Sequence, residues 1–360
     1  MSSRLRSAIQ WLLLLLLSIA LVTALSAGHV PAAPLLGPLL AAIIFAVSGS
    51  SIRLPRGFTI GAQTILGCLI AQAIDAQLMA IIGAHWELLV GFSLATMLIT
   101  AGLGWWITRA GWLPGTAAIW GLSPGAASSM VLLADDFGAD RRMVALMQYS
   151  RIVLVILAAI LVAKFIDYPS LPPAHAMSRG MTSQWLTLPS AVSLIETTAL
   201  AATAVVIAIY FRKAALALFI PAFAGAALQA AGFISISTPP LLANSAFGTV
   251  GIYVGLSFNR EMLIQSLSAL PTMLLAIVAM ITLCGLLSVA FCKLVPGTDP
   301  LTAYLALSPG GIDAAVIIAA TTHVSLPLIL AAQFIRLLIV IAGAPALAKW
   351  LAHRHQQRSR

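Results

Sequence analysis

Charge is what this chain has least of. Lys and Arg number 19 and Asp and Glu 10 among 360 residues, 8% of the total, where a soluble domain carries about 25%. So few charges cannot cover the surface of a water-soluble globule. A soluble enzyme, a DNA-binding module and a disordered chain are thereby excluded as the main body. Cysteine is scarce too. Cys68, Cys284 and Cys292 all lie in apolar stretches with no Cys-x-x-Cys spacing, which excludes a disulfide scaffold and reads as buried small hydrophobes. The six histidines (His29, His85, His175, His323, His353 and His355) are scattered, with no His-x-x-x-His face. A copper or iron oxygenase needs converging imidazoles. No Walker sequence is present either, which speaks against ATP-driven pumping. The chain is expected to be no enzyme and to need neither metal nor cofactor.

Apolar residues, in contrast, make up 61%, and the mean hydropathy is +1.04. A spanning helix needs ~20 apolar residues, which leaves room for about 10–14 spans. Apolar runs fall at 8–28, 32–49, 58–82, 86–109, 115–136 and 140–165, then at 189–211, 214–231, 241–258, 268–293, 299–321 and 325–351. Arg4 and Arg6 before Trp11–Leu25 resemble a signal peptide. With so many spans following, this run reads as an uncleaved first helix in a bacterial-type inner membrane. The net charge of +9 is carried between the runs, singly or in pairs, so it reads as topology, with no nucleic-acid partner. The basic tail suits anionic lipid.

The longest polar break, 166–188, separates two sets of six runs. It divides the chain into a first repeat (1–166), a linker (167–188), a second repeat (189–352) and a tail (353–360). The halves are related: Leu122-Ser123-Pro124-Gly125 recurs 185 residues later as Leu307-Ser308-Pro309-Gly310. At that same offset Gln148 falls on Gln333, Arg151 on Arg336 and Lys164 on Lys349. Polar residues are rare here, so these matches point to an internal duplication. Upstream, Gly67 pairs with Gly251 and Pro38 with Pro221 at offsets of 184 and 183.

Inside loops should carry the Lys and Arg. If all twelve runs crossed, Arg141, Arg142, Arg212, Lys213 and Arg260 would lie outside. If 115–136 and 299–321 instead enter and leave on one side, those residues lie inside with Arg4, Arg6, Arg53, Arg56, Arg109, Lys349 and the tail. Only Lys164, Arg179 and Lys293 then lie outside. The expected fold is therefore an all-α polytopic membrane protein with about ten transmembrane helices plus two re-entrant hairpins, both termini cytoplasmic. Five spans per half is an odd number, so the two repeats are inverted, a pattern of secondary transporters.

Pro and Gly break a helix in mid-membrane, which is tolerated where the break is buried or lines a wet cavity. Ser123-Pro124-Gly125 and Ser308-Pro309-Gly310 fit helix starts, with Ser as N-cap and Pro at the first helical position. Two such N-termini suit an anionic group; an ordinary structural kink is the alternative. Gly311 continues the second motif. Asp313, three residues after Gly310, is either a favourable charge on the helix dipole or a cation ligand or proton carrier. Arg151 and Arg336 each sit about eleven residues into an apolar helix, ~16 Å at 1.5 Å per residue. Gln148 and Gln333 lie three residues earlier on the same face. Gln plus Arg could hold a carboxylate or phosphate. Alternatively, each Arg caps the carbonyl end of a broken helix or pairs with Asp136 or Asp313. Gln63 and Gln72 read as helix–helix hydrogen bonds or cavity lining, and Glu196 as a dipole partner near a helix start.

Several segments together resemble the bacterial AbrB membrane-protein family. They are Leu122–Gly125 with Asp135–Asp140 and Met147–Arg151, then Thr302–Asp313, and upstream Leu35–Pro38 and Ile65–Gln72. The resemblance covers nearly the whole chain. The family has carried two labels, ammonia monooxygenase and AbrB family transcriptional regulator. The first lacks its metal ligands here, and the second shares a name with a small soluble DNA-binding protein that nothing here resembles. The architecture is similar to elevator-type secondary carriers, by fold-level analogy. The function expected is secondary transport of a small anionic solute coupled to H⁺ or Na⁺, in a homodimer. The alternative is a membrane-embedded regulator of gene expression, acting by ligand sensing or indirectly through transport.

Overall fold

The structure, a computed structural model, describes residues 3–28, 30, 32–50, 52–73, 76–123, 139–165, 190–211, 215–258, 260–295, 297–310, 312–322 and 324–358. Among these residues every regular element is a helix. The first half contributes α1 (Ser3–Ala27), α2 (Ala33–Val47), α3 (Arg56–Ala73), α4 (Ala76–Arg109), α5 (Ala117–Leu122) and α6 (Arg141–Phe165). The second half begins with α7 (Ala191–Tyr210), then α8 (Ala215–Ile220), a π-helical turn at Pro221–Gly225, and α9 (Ala226–Ala230). It continues with α10 (Pro240–Leu256), α11 (Arg260–Gln265), α12 (Leu270–Leu294), α13 (Pro300–Leu307), α14 (Ile312–Thr321) and α15 (Leu326–Arg358). The expected linker lies outside the described residues.

The helix starts follow from local chemistry. Ser190 caps α7 by accepting from the Ser193 amide at 3.2 Å. Asp140 accepts from the Arg142 amide at 2.8 Å at the start of α6. Asp299 accepts from the Thr302 amide at 2.6 Å at the start of α13, where Pro300 takes the first position, a place that needs no N–H donor. Buried hydroxyls inside the helices bond back to their own backbone, as Ser18 does to Leu14 O and Thr64 to Ile60 O. This lets them sit in apolar surroundings without an unmet donor.

Five helices among the described residues are long and apolar enough to cross a membrane: Arg6–Ala27, Gly83–Arg109, Arg142–Ala163, Ala191–Tyr210 and Leu270–Leu294. Shorter apolar helices run over Ala33–Val47, Leu216–Ala230, Pro240–Leu256 and Leu326–Val340. The long helices turn large hydrophobic side chains outward. Leu12, Leu16 and Ile19 on α1, Val192, Ile195 and Val206 on α7, and Leu275 and Leu286 on α12 are all exposed. Such surfaces suit lipid. One helix end recurs across the two halves: α5 stops at Leu122 and α13 at Leu307, 185 residues later.

The chain forms two compact units, and neither is a sequence half. One takes the described parts of Met1–Ala80, Tyr168–Ser257 and Ala320–His323; the other takes those of Ile81–Asp167, Phe258–Ala319 and Val324–Arg360. The first unit thus gathers α1–α3 with α7–α10. The second gathers most of α4 with α5 and α6 from the first half and α11–α15 from the second.

Within the first unit the halves meet through glycine. A Cβ on Gly67 would strike Leu218 O and Pro221 Cγ, and one on Gly251 would strike Leu35 O and Leu39 N. Gly251 is the counterpart of Gly67, and Leu35 is the counterpart of Leu218 at the offset that relates Pro38 to Pro221. Each half therefore lays its glycine on the proline-bearing helix of the other. Elsewhere in the unit, Gln72 Nε2 donates to Ile236 O at 3.0 Å, in the loop before α10 and not on a second helix as expected, while Gln63 Oε1 is buried with no partner among the described residues. Glu196 Oε2 accepts from the Ser235 amide at 2.7 Å, tying α7 to the loop before α10.

Candidate functional site

The second unit contains both Ser-Pro-Gly segments. A residue before proline is pushed out of the helical region by the proline ring. Ser123 accordingly sits at φ −59°, ψ 128°, and Ser308 at φ −58°, ψ 136°. Each serine is the last residue of a helix that stops there, α5 at Leu122 and α13 at Leu307.

A proline also removes a donor. In a continuous helix the amide of residue 309 would bond Leu305 O, and that of residue 124 would bond Trp120 O. Glutamine supplies the missing donor in both places. Gln333 Nε2 donates to Leu305 O at 2.7 Å, and Gln148 Nε2 donates to Trp120 O at 2.9 Å. The arginines take the next carbonyls. Arg151 Nη1 donates to Ser123 O at 3.0 Å. Arg336 Nη1 donates to Ser308 O, and its Nη2 to Gly310 O at 2.7 Å and to Gln333 Oε1. Donor and acceptor stand 28 residues apart in each matched pair, so the duplication extends to individual hydrogen bonds.

These groups are desolvated. Gln148 and Gln333 are 0% and 1% exposed, Arg151 and Arg336 4% and 9%. A buried guanidinium is tolerated only where hydrogen bonds replace water. The carbonyls freed by each break provide them, so break and arginine satisfy one another. This is the capping role left open by the sequence, and it accounts for Arg336 Nη1 and Nη2 and for Arg151 Nη1. Cys284 on α12 is buried in the same unit. Sequence reading filed that cysteine as a small hydrophobe, since nothing local marks its neighbours. Tyr304, in α13, was not singled out; its hydroxyl donates to Val155 O on α6 at 3.5 Å.

Ser308 behaves differently from expectation, while the segment that Ser123 was expected to cap lies outside the described residues. Ser308 does not cap the following helix: its Oγ donates backwards to Leu305 O at 3.2 Å, and α14 begins only at Ile312. The extended backbone imposed by Pro309 makes the serine a terminus of the preceding limb. Pro309 and Gly310 are buried, and a Cβ on Gly310 would meet Val155 Cγ1 at 2.9 Å. Pro124, Gly125 and Gly311 lie outside the described residues. Asp313 is on α14, its side chain outside them, as are those of Lys164 and Lys349. Asp136 lies outside them as well. Among the described residues no three His, Cys, Asp or Glu side chains gather so as to hold a metal ion.

The repeats differ in one respect. Gln333 Oε1 accepts from Arg336, whereas Gln148 Oε1 and Arg151 Nε are buried without partners. The lower end of the site is held by Thr302, fully buried, whose Oγ1 donates to Asp299 and accepts from the Ser325 amide at 3.0 Å. This fixes the start of α13 against the start of α15, and so places Gln333 and Arg336 beside the break.

Comparison with known proteins agrees with these features. The chain is 36% identical over 351 residues, 98% of its own length and 99% of the relative's, to a protein of Escherichia coli (strain K12) provisionally named regulator AbrB. It is 26% identical over 313 residues, 82% of the chain and 79% of the relative, to the uncharacterized protein YhjN of Bacillus subtilis (strain 168). A family model described as transition state regulatory protein AbrB matches residues 34–352, so the chain belongs to the AbrB family.

Proposed function

We propose that this protein is a secondary transporter of a small anionic solute, coupled to H⁺ or Na⁺, in a bacterial inner membrane. The observation that carries this reading is the pair of helices in one compact unit that stop at a Ser-Pro step, each with a buried arginine bonded to its last carbonyls. Broken helices and intramembrane charges cluster at substrate sites in carriers. Two desolvated guanidiniums in one compact unit suit an anionic solute. Two repeats in inverted orientation would bring the breaks in from opposite sides. The reciprocal glycine contacts in the other unit support a two-fold relation of that kind.

In this reading Ser123, Pro124, Gly125, Ser308, Pro309, Gly310 and Gly311 shape the solute site. Gln148 and Arg151 hold the first helix end and face the solute with the atoms they do not use on carbonyls, while Gln333 and Arg336 hold the second. Asp313 is the coupling-ion residue. The unit with the broken helices carries the solute. Flux of small carboxylates into proteoliposomes, measured with and without Na⁺ and pH gradients, tests this. Accumulation driven by one gradient is expected; absence of flux for every solute, with protein that is folded and inserted, contradicts it.

The regulator name of the Escherichia coli relative favours a second reading, a membrane protein that senses a ligand and alters gene expression. Transport itself would change a solute's internal level and thereby expression. A transcriptional phenotype of deletion that survives loss of flux would separate the two.

A further inference from the structure

The two glutamine–arginine pairs are equal in sequence and unequal in bonding. Gln148 Nε2 donates to two carbonyls, Trp120 O at 2.9 Å and Ser123 O at 3.2 Å. That settles which end of the amide is nitrogen, because a flipped amide would set oxygen against oxygen. Oε1 therefore points away from both carbonyls as an acceptor, and it has no partner among the described residues. Three residues on, along the same helical face, Arg151 Nη1 is engaged with Ser123 O while Nε–H has no partner. In the second repeat the equivalent oxygen is taken: Gln333 Oε1 accepts from Arg336 Nη2, which also reaches Gly310 O. One pair closes upon itself, and the other presents an open acceptor and an open charged donor. Both are in residues less than 5% exposed, where an unmet polar atom is costly.

We infer that the solute is gripped by the first repeat, through Gln148 Oε1 and Arg151 Nε, and that it is a small carboxylate bearing a hydroxyl or amino group beside its charge. This rests on the carrier reading and narrows its substrate. The carboxylate oxygen accepts from Arg151 Nε–H, and the neighbouring O–H or N–H donates to Gln148 Oε1. A plain carboxylate has no proton to give and leaves the glutamine oxygen unmet, so it binds more weakly. Gln333 and Arg336 are positioning residues in this arrangement, occupied with the second break.

Equilibrium binding to the purified full-length protein in detergent tests the inference, using matched pairs: lactate against propionate, malate against succinate, alanine against propionate. At least one donor-bearing member is expected to bind tenfold or more tightly than its partner. Gln148→Met should bring that ratio close to one, and Gln333→Met should leave it in place. Equal binding within every pair, no binding by any compound, or an equal effect of the two substitutions overturns the inference. Should Gln148→Met fail to fold, the wild-type ratio decides, together with Arg151→Lys, which keeps the charge, removes Nε–H and is expected to weaken both members of a pair. Discriminating binding without flux would sustain this inference and refute the carrier reading; flux without discrimination would do the reverse.

Discussion

Gln333 stands in for the amide hydrogen that Pro309 lacks. Its Nε2 donates at 2.7 Å to Leu305 O, the carbonyl that residue 309 would bond in an unbroken helix. Gln148 makes the same bond to Trp120 O for the proline at 124. The breaks are thus satisfied from outside, by a second helix. The pairing gives each half of the protein a proline, a glutamine and an arginine that function only as a set.

Such a set should show energetic coupling. Gln333→Met leaves Leu305 O with only the longer bond from Ser308 Oγ at 3.2 Å and takes an acceptor from Arg336 Nη2, and is expected to cost about 1–3 kcal/mol. In a Pro309→Ala background residue 309 has its own N–H, and the helix is free to close that bond. The cost of Gln333→Met should then fall by about 1 kcal/mol or more. A double-mutant cycle of unfolding in detergent measures this. Additive costs would show that the glutamine serves something other than the proline's missing donor.

The two arginines should differ in their tolerance of lysine. Arg336 donates to Ser308 O, Gly310 O and Gln333 Oε1, a fan of bonds that a single ammonium cannot reproduce. Arg336→Lys is expected to lower stability by about 2 kcal/mol or more, since charge-assisted bonds contribute about 1.5–3 kcal/mol each. Arg151→Lys should cost less stability, because Nη1 to Ser123 O is the bond it must replace. Thermal unfolding of both variants checks the order, and the reverse order would contradict it.

The glycine crossings in the first unit make a paired prediction. Gly251→Ala drives a methyl group into Leu35 O and Leu39 N, and Gly67→Ala drives one into Leu218 O and Pro221. Backbone cannot yield as a flexible side chain can, so each should cost about 1–3 kcal/mol. Gly61→Ala and Gly285→Ala, where nothing lies within 4 Å of the added carbon, should be neutral or slightly stabilising. Equal losses at all four positions would show that the close approach is not the cause.

Much of this was legible in the sequence. Most apolar runs became helices within a few residues of their expected ends, because proline, glycine and charge mark boundaries sharply. The run expected over 58–82, however, stops at Ala73, the one expected over 86–109 starts at Ala76, and the helix in 115–136 covers Ala117–Leu122 among the described residues. The shared offset of Gln148 and Arg151 with Gln333 and Arg336 marked the right residues. What they bond was not legible, since it depends on a helix 28 residues away lying alongside the break. Ser308 misled for a local reason. Ser-Pro-Gly suits a helix start on propensity alone, yet here the preceding helix runs up to the serine and Pro309 ends it. Gly67 and Gly251 stood out only weakly; a small residue has no signature until another backbone is known to cross it. The interleaving of the halves into two units rests entirely on long-range packing, which no local pattern reports.

Side-specific labelling of introduced cysteines probes the paired breaks most directly, in intact cells and inverted vesicles, with the three native thiols removed. Cysteines at Gly111 and Gly138 should both react from the cytoplasmic face, and cysteines at Thr298 and Ser325 both from the opposite face. Reaction of either pair from two different faces would show a crossing segment in place of a returning one, and the inverted carrier would have to be abandoned.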